Sequence, residues 1–288
     1  MTSITTNKFV SVNGNAVCYM EAGLASKPTV IFIHGFPFNK SIWTLQLEAL
    51  KEYYHLIAYD LRGFGDSEEG TDGFAVENYS ENLIQFMDAL YIEKAIVCGH
   101  GLGGNIALNA AERFSQRIEA LVLSSTQTKS ESSEAKESRI NAIAQIQAGD
   151  FETFIEDTVK SVFAYISFTT KREEIAEIKN LIKNNAVAVS VKMLQALNER
   201  KDSTSMLAEI KVPVLIMVGK KDILTPPLQA EILHENLSDS VIELMDYAGH
   251  LPNLENPLEF NRHLKKFLDK TTARSRLPHF DRSEKKSA

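Results

Sequence analysis

Residues 97–104 read Val97-Cys98-Gly99-His100-Gly101-Leu102-Gly103-Gly104. An apolar segment, residues 95–98, runs into this stretch, and a segment of small residues, 105–111, follows it. The pattern resembles G-x-Nuc-x-G, a strained strand-to-helix turn that lifts one nucleophilic side chain above a sheet. The middle position, where Ser, Asp or Cys would attack a substrate, holds Gly101, which has no side chain. The stretch is therefore either not such a turn or a turn whose nucleophile is missing.

The bulk composition argues against several classes of protein. A chain of 288 residues can hold one large α/β domain with an inserted subdomain. Its net charge of −7 gives no reason to expect a nucleic-acid partner. No apolar run approaches the ~18 residues of a membrane helix, and the first residues lack the apolar part of a signal peptide. We therefore expect a cytoplasmic protein without membrane contact, in which Cys18 and Cys98 are buried and reduced.

Apolar runs along the chain predict a mostly parallel sheet. Residues 8–23 alternate as two paired strands would, with Asn13-Gly14 at their turn. Continuous apolar runs typical of strands buried on both faces follow at residues 29–33, 55–59, 95–98, 118–124, 212–218 and 241–245. Helical segments are predicted between and after them, at residues 43–54, 76–91, 105–111, 227–237 and 257–269. This rhythm predicts an α/β fold with helices on both faces of the sheet.

The segment 130–205 differs from the rest, because apolar residues recur at helical spacing and no strand of the sheet type interrupts them. We predict a helical cap here, inserted into a core formed by residues 1–129 and 206–270. Phe163, Phe168 and Met193 of this cap are candidate substrate-binding residues, although each could equally belong to ordinary helix core. Residues 271–288 are polar and unpatterned, and we expect them to be a disordered tail.

Four more motifs stand at the carboxyl ends of predicted strands, where open α/β sheets place their sites. They are His34-Gly35-Phe36-Pro37, Asp60-Leu61-Arg62-Gly63-Phe64-Gly65-Asp66-Ser67, Gly219-Lys220-Lys221-Asp222 and Gly249-His250. Nucleophile position, acid and histidine follow one another in the order of the α/β-hydrolases. From about residue 10 to 270 the chain resembles this family, specifically serine esterases and lactonases with an eight-stranded type of sheet and a helical cap.

The resemblance implies a role for each matching residue. His250 would be the general base, and Asp222 the acid that orients it and stabilises its cation. The backbone N–H groups of Phe36 and Leu102 would form an oxyanion hole. No cofactor is implied, and no metal is expected, because the histidines lack a metal-binding spacing.

Other residues of the motifs are expected to have structural roles. Asp60 and Arg62 are expected to brace their loop rather than act on substrate. His100 is expected to be packed and hydrogen-bonded rather than catalytic. These expectations leave the chemistry to the oxyanion hole and to the histidine and its acid.

Gly101 is the departure from the family pattern. Many members have Gly-His-Ser-Leu-Gly-Gly here, and removal of a triad member leaves at most about 10³–10⁴-fold acceleration over water. We therefore expect the chain to be nearly inactive in acyl-enzyme hydrolysis. Three interpretations stay open: an engineered Ser→Gly variant of an active serine hydrolase, a natural member in which His250 and Asp222 activate water, and a non-catalytic ligand-binding or signalling protein.

The substrate class is only broadly indicated. Dehalogenases and epoxide hydrolases of this fold usually have Trp after an Asp nucleophile, whereas this chain has Leu102. A carboxylic ester, lactone or thioester is therefore favoured, and carbon–carbon bond hydrolases, cofactor-free oxygenases and haloperoxidases share the motifs. We expect a small-molecule substrate or ligand and a monomer or homodimer.

Overall fold

A computed structural model describes residues 5–275, and within this range eight strands form one sheet. Their spatial order is β1-β2-β4-β3-β5-β6-β7-β8. The strands are β1 (Thr5–Val12), β2 (Asn15–Ala22), β3 (Thr29–Ile33), β4 (His55–Tyr59), β5 (Ala95–His100), β6 (Ile118–Ser124), β7 (Val214–Gly219) and β8 (Ser240–Met245). β2 runs antiparallel to β1 and β4, and every other pairing is parallel. The predicted fold class is confirmed.

The sheet has a separate apolar core on each face. Ile31 and Ile33 of β3 face one core, whereas Val30 and Phe32 face the other, and all four are fully buried. Because side chains alternate along a strand, a strand covered on both faces must be apolar at every position. This explains the continuous apolar run of residues 29–33.

Helices on both sides supply these cores. They are α1 (Thr44–Leu50), α2 (Val76–Ala89), α3 (Leu102–Arg113), α4 (Ser133–Gln147), α5 (Phe151–Val162), α6 (Ser167–Thr170), α7 (Arg172–Lys183), α8 (Val187–Glu199), α9 (Pro227–Asn236), α10 (Pro252–Glu255) and α11 (Pro257–Ser275). α2, α3 and α9 pack in one core, and α1 and α11 in the other. None of the helices in the described range is long and apolar enough to cross a membrane.

The last helix corrects one expectation from the sequence. α11 continues to Ser275, so residues 271–275 are helical and the predicted disordered tail begins too early. Thr271 is buried, three residues beyond the buried Leu268, and it continues the packed stripe of the helix by one turn. The remainder of that predicted tail, residues 276–288, lies outside the described residues.

Helices α4 to α8, residues 133–199, form a helical insertion between β6 and β7. The insertion contacts loops that follow the carboxyl ends of the strands. Asn185 donates to the carbonyl of Pro37 at 2.7 Å, and His250 N–H donates to the carbonyl of Val162 at 2.8 Å. The insertion therefore lies beside the edge of the sheet that carries the motifs found in the sequence.

Candidate active site

A single residue, Gly101, separates β5 from α3. Its φ is +52° and its ψ is −114°, and its N–H donates to the carbonyl of Ser124 at 2.9 Å. The N–H groups of Gly104 and Asn105 donate back to the carbonyl of Gly101, which ties the turn to the first turn of the helix. Helix α3 thus begins at Leu102, three residues earlier than the sequence predicts. Residues 97–104 form the strand-to-helix turn that the motif describes.

Close packing requires the neighbouring glycines of the turn. A Cβ on Gly99 would lie 2.2 Å from the carbonyl oxygen of Gly103, and one on Gly104 would lie 1.9 Å from Oγ1 of Thr126. Gly101 differs from them, because a Cβ there would have no atom outside its chain neighbours closer than 3.5 Å. The space beside Gly101 therefore accepts a side chain, at the cost of a positive φ that strains any L-residue.

The atom nearest to that Cβ position is Nε2 of His250, at 3.5 Å. His250 lies in the loop after β8 and is buried, and its Nδ1 is 2.9 Å from Oδ2 of Asp222. With Nδ1–H donating to the carboxylate, the neutral ring presents Nε2 as an acceptor towards position 101. The nucleophile position and the predicted base and acid, far apart in sequence, thus lie side by side.

Asp222 follows β7 and is held as an anion. Its Oδ1 accepts hydrogen bonds from the N–H groups of Leu224 and Thr225, both at 2.9 Å. Burial by itself raises the pKa of Asp222, but the charge of His250 and the hydrogen bonds from His250 and Thr225 outweigh burial and lower that pKa to about 2. The carboxylate can therefore stabilise a positive charge on His250.

Leu102 directly follows position 101, and Phe36 belongs to a loop that approaches it. Leu102 is the first residue of α3, so its N–H is one of those without a partner inside the helix. Phe36 follows Gly35, whose Cα is 4.0 Å from the Cβ position at residue 101. Backbone N–H groups near that point could stabilise a carbonyl oxygen that gains negative charge.

His34 and His100 have structural contacts. Nδ1–H of His34 donates to the carbonyl of Gly35 at 2.8 Å, while its Nε2 accepts from the N–H of Leu61 at 2.9 Å. Nε2–H of His100 donates to the carbonyl of His250 at 2.7 Å. Burial lowers the pKa of His34 to about 4 and that of His100 to about 3, so both rings are neutral at pH 7.

The alpha/beta hydrolase fold family model matches residues 28–257, which is most of the chain. The chain belongs to the α/β-hydrolase fold family. It is 27% identical to 3-oxoadipate enol-lactonase 2 of Acinetobacter baylyi, over 85% of this chain and 90% of that protein. It is also 27% identical to the putative carbamate hydrolase RutD of Agrobacterium fabrum, over 85% of this chain and 94% of the relative.

Two solved structures are also similar to this chain over most of its length. A thermophilic esterase from Thermogutta terrifontis superposes with a TM-score of 0.85 at 25% identity, covering 93% of this chain and 99% of the esterase. The enol-lactonase of Burkholderia xenovorans LB400 also has a TM-score of 0.85, at 23% identity and with 91% of this chain and 100% of that one covered. At 23% identity, the similarity to this second structure shows a shared fold alone.

Sequence reasoning missed one residue that contacts the predicted acid–base pair, Asp222 and His250, in this α/β hydrolase. The hydroxyl of Thr225 donates to Oδ2 of Asp222 at 2.7 Å and lies 3.2 Å from Nδ1 of His250. Thr225 therefore helps to hold the carboxylate against the ring. The Asp-x-x-Thr spacing, typical of a turn closed by an Asp side chain, is the signal that could have found it.

Glu255 was also missed, and it joins the helical insertion to the histidine loop. Its carboxylate accepts hydrogen bonds from the N–H of Gly249 at 2.7 Å, the N–H of Ala164 at 2.8 Å and the hydroxyl of Ser167 at 2.6 Å. Burial raises the pKa of Glu255, and these donors only partly oppose the effect. One buried carboxylate thus fixes both the backbone before His250 and the start of α6.

We expect Glu255→Gln to lower the free energy of unfolding by about 2 kcal/mol, because the amide NH₂ faces donors and one or more stay buried without an acceptor. Urea denaturation monitored by circular dichroism measures the change. Glu231→Gln on the exposed side of α9 is the control and should stay within about 0.5 kcal/mol of the parent chain. A Glu255→Gln variant as stable as that control would show that the carboxylate is not required.

Asp60 and Arg62 make many contacts within and around their loop, which agrees with the structural role expected for them. The guanidinium of Arg62 donates to the carbonyls of Glu69, Asp72 and Gly73 and to Asn82. Asp60 is fully buried, and its Oδ2 lies 2.7 Å from Nζ of Lys40, which the sequence did not single out.

Lys40 also occupies the one set of potential metal ligands found among the described residues. Ligand atoms of Cys18, Asp60 and Asp66 lie within 4.8 Å of one another. Nζ of Lys40 is 3.0 Å from Oδ2 of Asp66 as well as bonded to Asp60. Its ammonium group therefore supplies positive charge between the two carboxylates.

The three candidate substrate-binding residues line two separate cavities. Met193 of α8 lines a cavity of about 810 Å³ between α2, α3 and α8, which also reaches Leu102. Phe163 and Phe168 line another, of about 720 Å³, together with Ile223 and Tyr247. Gly101 and His250 are not among the lining residues of either cavity, but the first extends to the residue directly after Gly101.

Proposed function

We propose that the site of this α/β hydrolase is built to cleave a carboxylic ester, a lactone or a thioester, and that Gly101 removes the covalent step. The observation that carries the proposal is the distance of 3.5 Å between Nε2 of His250 and the Cβ position at Gly101. A serine Oγ lies one bond beyond Cβ, within hydrogen-bonding reach of that nitrogen. His250 and Asp222 are therefore arranged to activate a hydroxyl that this chain lacks.

Packing around the turn supports a serine hydrolase as the parent of this site. Gly99 and Gly104 have no room for a Cβ, whereas the space at Gly101 accepts one. A protein that only binds a ligand does not need an intact acid–base pair, and this favours a hydrolase. The similarity to enol-lactonases and an esterase favours a lactone or ester over the other substrates, and the carbamate hydrolase is named for a related acyl compound.

The cavity of about 810 Å³ is the candidate for substrate binding. It reaches Leu102, whose N–H is one of the proposed oxyanion donors, and Met193 of the helical insertion forms part of its wall. In this arrangement the insertion acts as the cap over the substrate. Phe163 and Phe168, at the second cavity, would contact only a substrate long enough to pass the histidine loop.

A fluorophosphonate, which phosphonylates activated serines, tests the assignment. We expect the chain as it stands to remain unlabelled and Gly101→Ser to be labelled at residue 101, because only the variant places an oxygen beside Nε2 of His250. Intact-mass spectrometry and peptide mapping detect the adduct, and His250→Ala in the Gly101→Ser background is the control that should abolish it. Labelling of the unchanged chain, or none in a folded Gly101→Ser variant, would refute the proposal.

A further inference from the structure

We infer that the chain as it stands hydrolyses an ester or lactone directly, with a water molecule beside Gly101 in place of the nucleophile. The inference rests on the proposed function, because it uses the same acid–base pair and oxyanion donors. It goes beyond that function by assigning an activity without an acyl-enzyme, and by giving the carbonyl of Ser125 a part in it.

The space beside Gly101 suits a water molecule. The atoms nearest to its Cβ position are Nε2 of His250 at 3.5 Å, the carbonyl oxygen of Ser125 at 3.9 Å and Cα of Gly35 at 4.0 Å. A bound water occupies about the volume of a methyl group and needs two or more polar partners. The two nearest polar atoms are both acceptors, so the water can direct one proton to each. Its lone pairs are then left for a substrate carbon.

The backbone of Ser125 turns this carbonyl out of the regular sheet. Ser125 follows β6 and has a φ of +49°, in the left-handed region that residues other than glycine rarely adopt. Its N–H still donates to the carbonyl of Met217 at 2.9 Å, so the positive φ falls on a residue directly after the strand that keeps one hydrogen bond to the neighbouring strand. Strain of this kind concentrates at functional sites.

Some of the unpaired buried polar atoms lie on residues that adjoin Gly101. Within the part of the chain that the structure describes, Oγ of Ser124, Oγ of Ser125 and Nδ1 of His100 are buried without a hydrogen-bond partner. His100 directly precedes Gly101, and the carbonyl of Ser124 accepts the N–H of Gly101. Each unpaired group costs free energy in the folded protein and is normally explained by bound water or ligand. Three of the nine such atoms in the described residues thus belong to residues that adjoin the turn at Gly101, and bound water would satisfy them.

The reaction balances without any co-reactant besides water. The water oxygen forms a bond to the substrate carbonyl carbon while one of its protons passes to Nε2 of His250, and Asp222 stabilises the resulting cation. The carbonyl oxygen becomes the oxyanion that the N–H groups of Phe36 and Leu102 stabilise. The bond from the same carbon to the leaving oxygen then breaks, and that oxygen takes the proton from Nε2. The products are a carboxylic acid and an alcohol, which remain in one molecule when the substrate is a lactone.

Gly101→Ala tests the inference, because its methyl group would intrude on the space beside Gly101 that the water needs. We expect the parent chain to turn over p-nitrophenyl butyrate with saturation and without a burst. We expect this rate to fall at least about tenfold in Gly101→Ala and in His250→Ala, since each removes a requirement for general-base catalysis. Gly149→Ala is the matched control, with a φ of +93° and open space around its Cβ position, and it should stay within about twofold of the parent.

The outcomes separate this inference from the proposed function. A parent rate equal to that of His250→Ala, or unaffected by Gly101→Ala, overturns the inference while leaving the proposed function intact. Failure of a folded Gly101→Ser variant to gain esterase activity overturns the proposed function itself. Gly101→Ser carries the same Cβ and the same backbone strain, so its circular dichroism spectrum shows whether position 101 tolerates Gly101→Ala. His250→Ala decides the question without any change at that position.

Discussion

Gly101→Ser is expected to raise kcat/KM for p-nitrophenyl butyrate at least about a hundredfold over the present chain. The Cβ position at residue 101 is 3.5 Å from Nε2 of His250, so the serine hydroxyl attached to that Cβ would lie beside this nitrogen. With Asp222 anionic and bonded to Nδ1, the ring can take the serine proton as Oγ attacks. A nucleophile that is covalently attached to the protein does not lose translational and rotational entropy on reaching the substrate, as a free water does. The gain therefore appears mainly in kcat.

Stopped-flow release of p-nitrophenol measures both the rate and a burst equal to the enzyme concentration, which reports the acyl-enzyme. The positive φ of Gly101 costs the variant about 1–2 kcal/mol of stability, which thermal unfolding monitors separately. Adding Asp222→Asn should reverse most of the gain, because the acid no longer orients the ring or stabilises its cation. If Gly101→Ser folds but gains nothing, and ligands still bind, the site belongs to a binding protein.

Much of this fold could be predicted because its sheet is buried on both faces. β3, β4 and β6 match the predicted runs at residues 29–33, 55–59 and 118–124. The start of α3 was missed because Leu102-Gly103-Gly104 combines a helix former with two residues of poor helix propensity. Those glycines are helical for a tertiary reason, since a Cβ on Gly103 would lie 2.4 Å from the carbonyl oxygen of Ile33.

The site was partly predictable for a similar reason. The carboxyl ends of parallel strands meet at one edge of the sheet, so motifs at strand ends come together even when they are far apart in sequence. Glu255 and Lys40 could not be found in this way, because nothing in their local sequence tells that they are buried. Helical periodicity shows which face of a helix is apolar but not its neighbours. For this reason the sequence could not show that Phe163 and Met193 line different cavities.

Lys40 has the largest expected effect on stability. Its side chain is 5% exposed, the side chain of Asp60 is fully buried, and their charged atoms are 2.7 Å apart. Burial alone lowers the pKa of Lys40, but the charge of Asp60 and the hydrogen bonds to both carboxylates outweigh burial and raise it. Removing one partner of such a pair leaves an uncompensated charge in the interior, which costs more than the pair itself contributes.

We expect Lys40→Met to lower the free energy of unfolding by about 3–5 kcal/mol in urea titrations at pH 7. Methionine keeps most of the apolar volume, so the loss reports the charge rather than a cavity. Lys266→Met, on the exposed face of α11, should change stability by no more than about 0.5 kcal/mol.

The double variant Lys40→Met with Asp60→Asn distinguishes the charge from its packing. It should recover part of the lost stability, because the neutral amide no longer needs the ammonium group. The recovery is incomplete, since Asp60 also accepts the backbone N–H groups of Lys40 and Asp66 at 2.8 and 2.9 Å, and an amide accepts fewer hydrogen bonds than a carboxylate. A double variant less stable than Lys40→Met by the full effect of Asp60→Asn would mean that the two charges are not coupled. The carboxylate would then act through its backbone contacts alone.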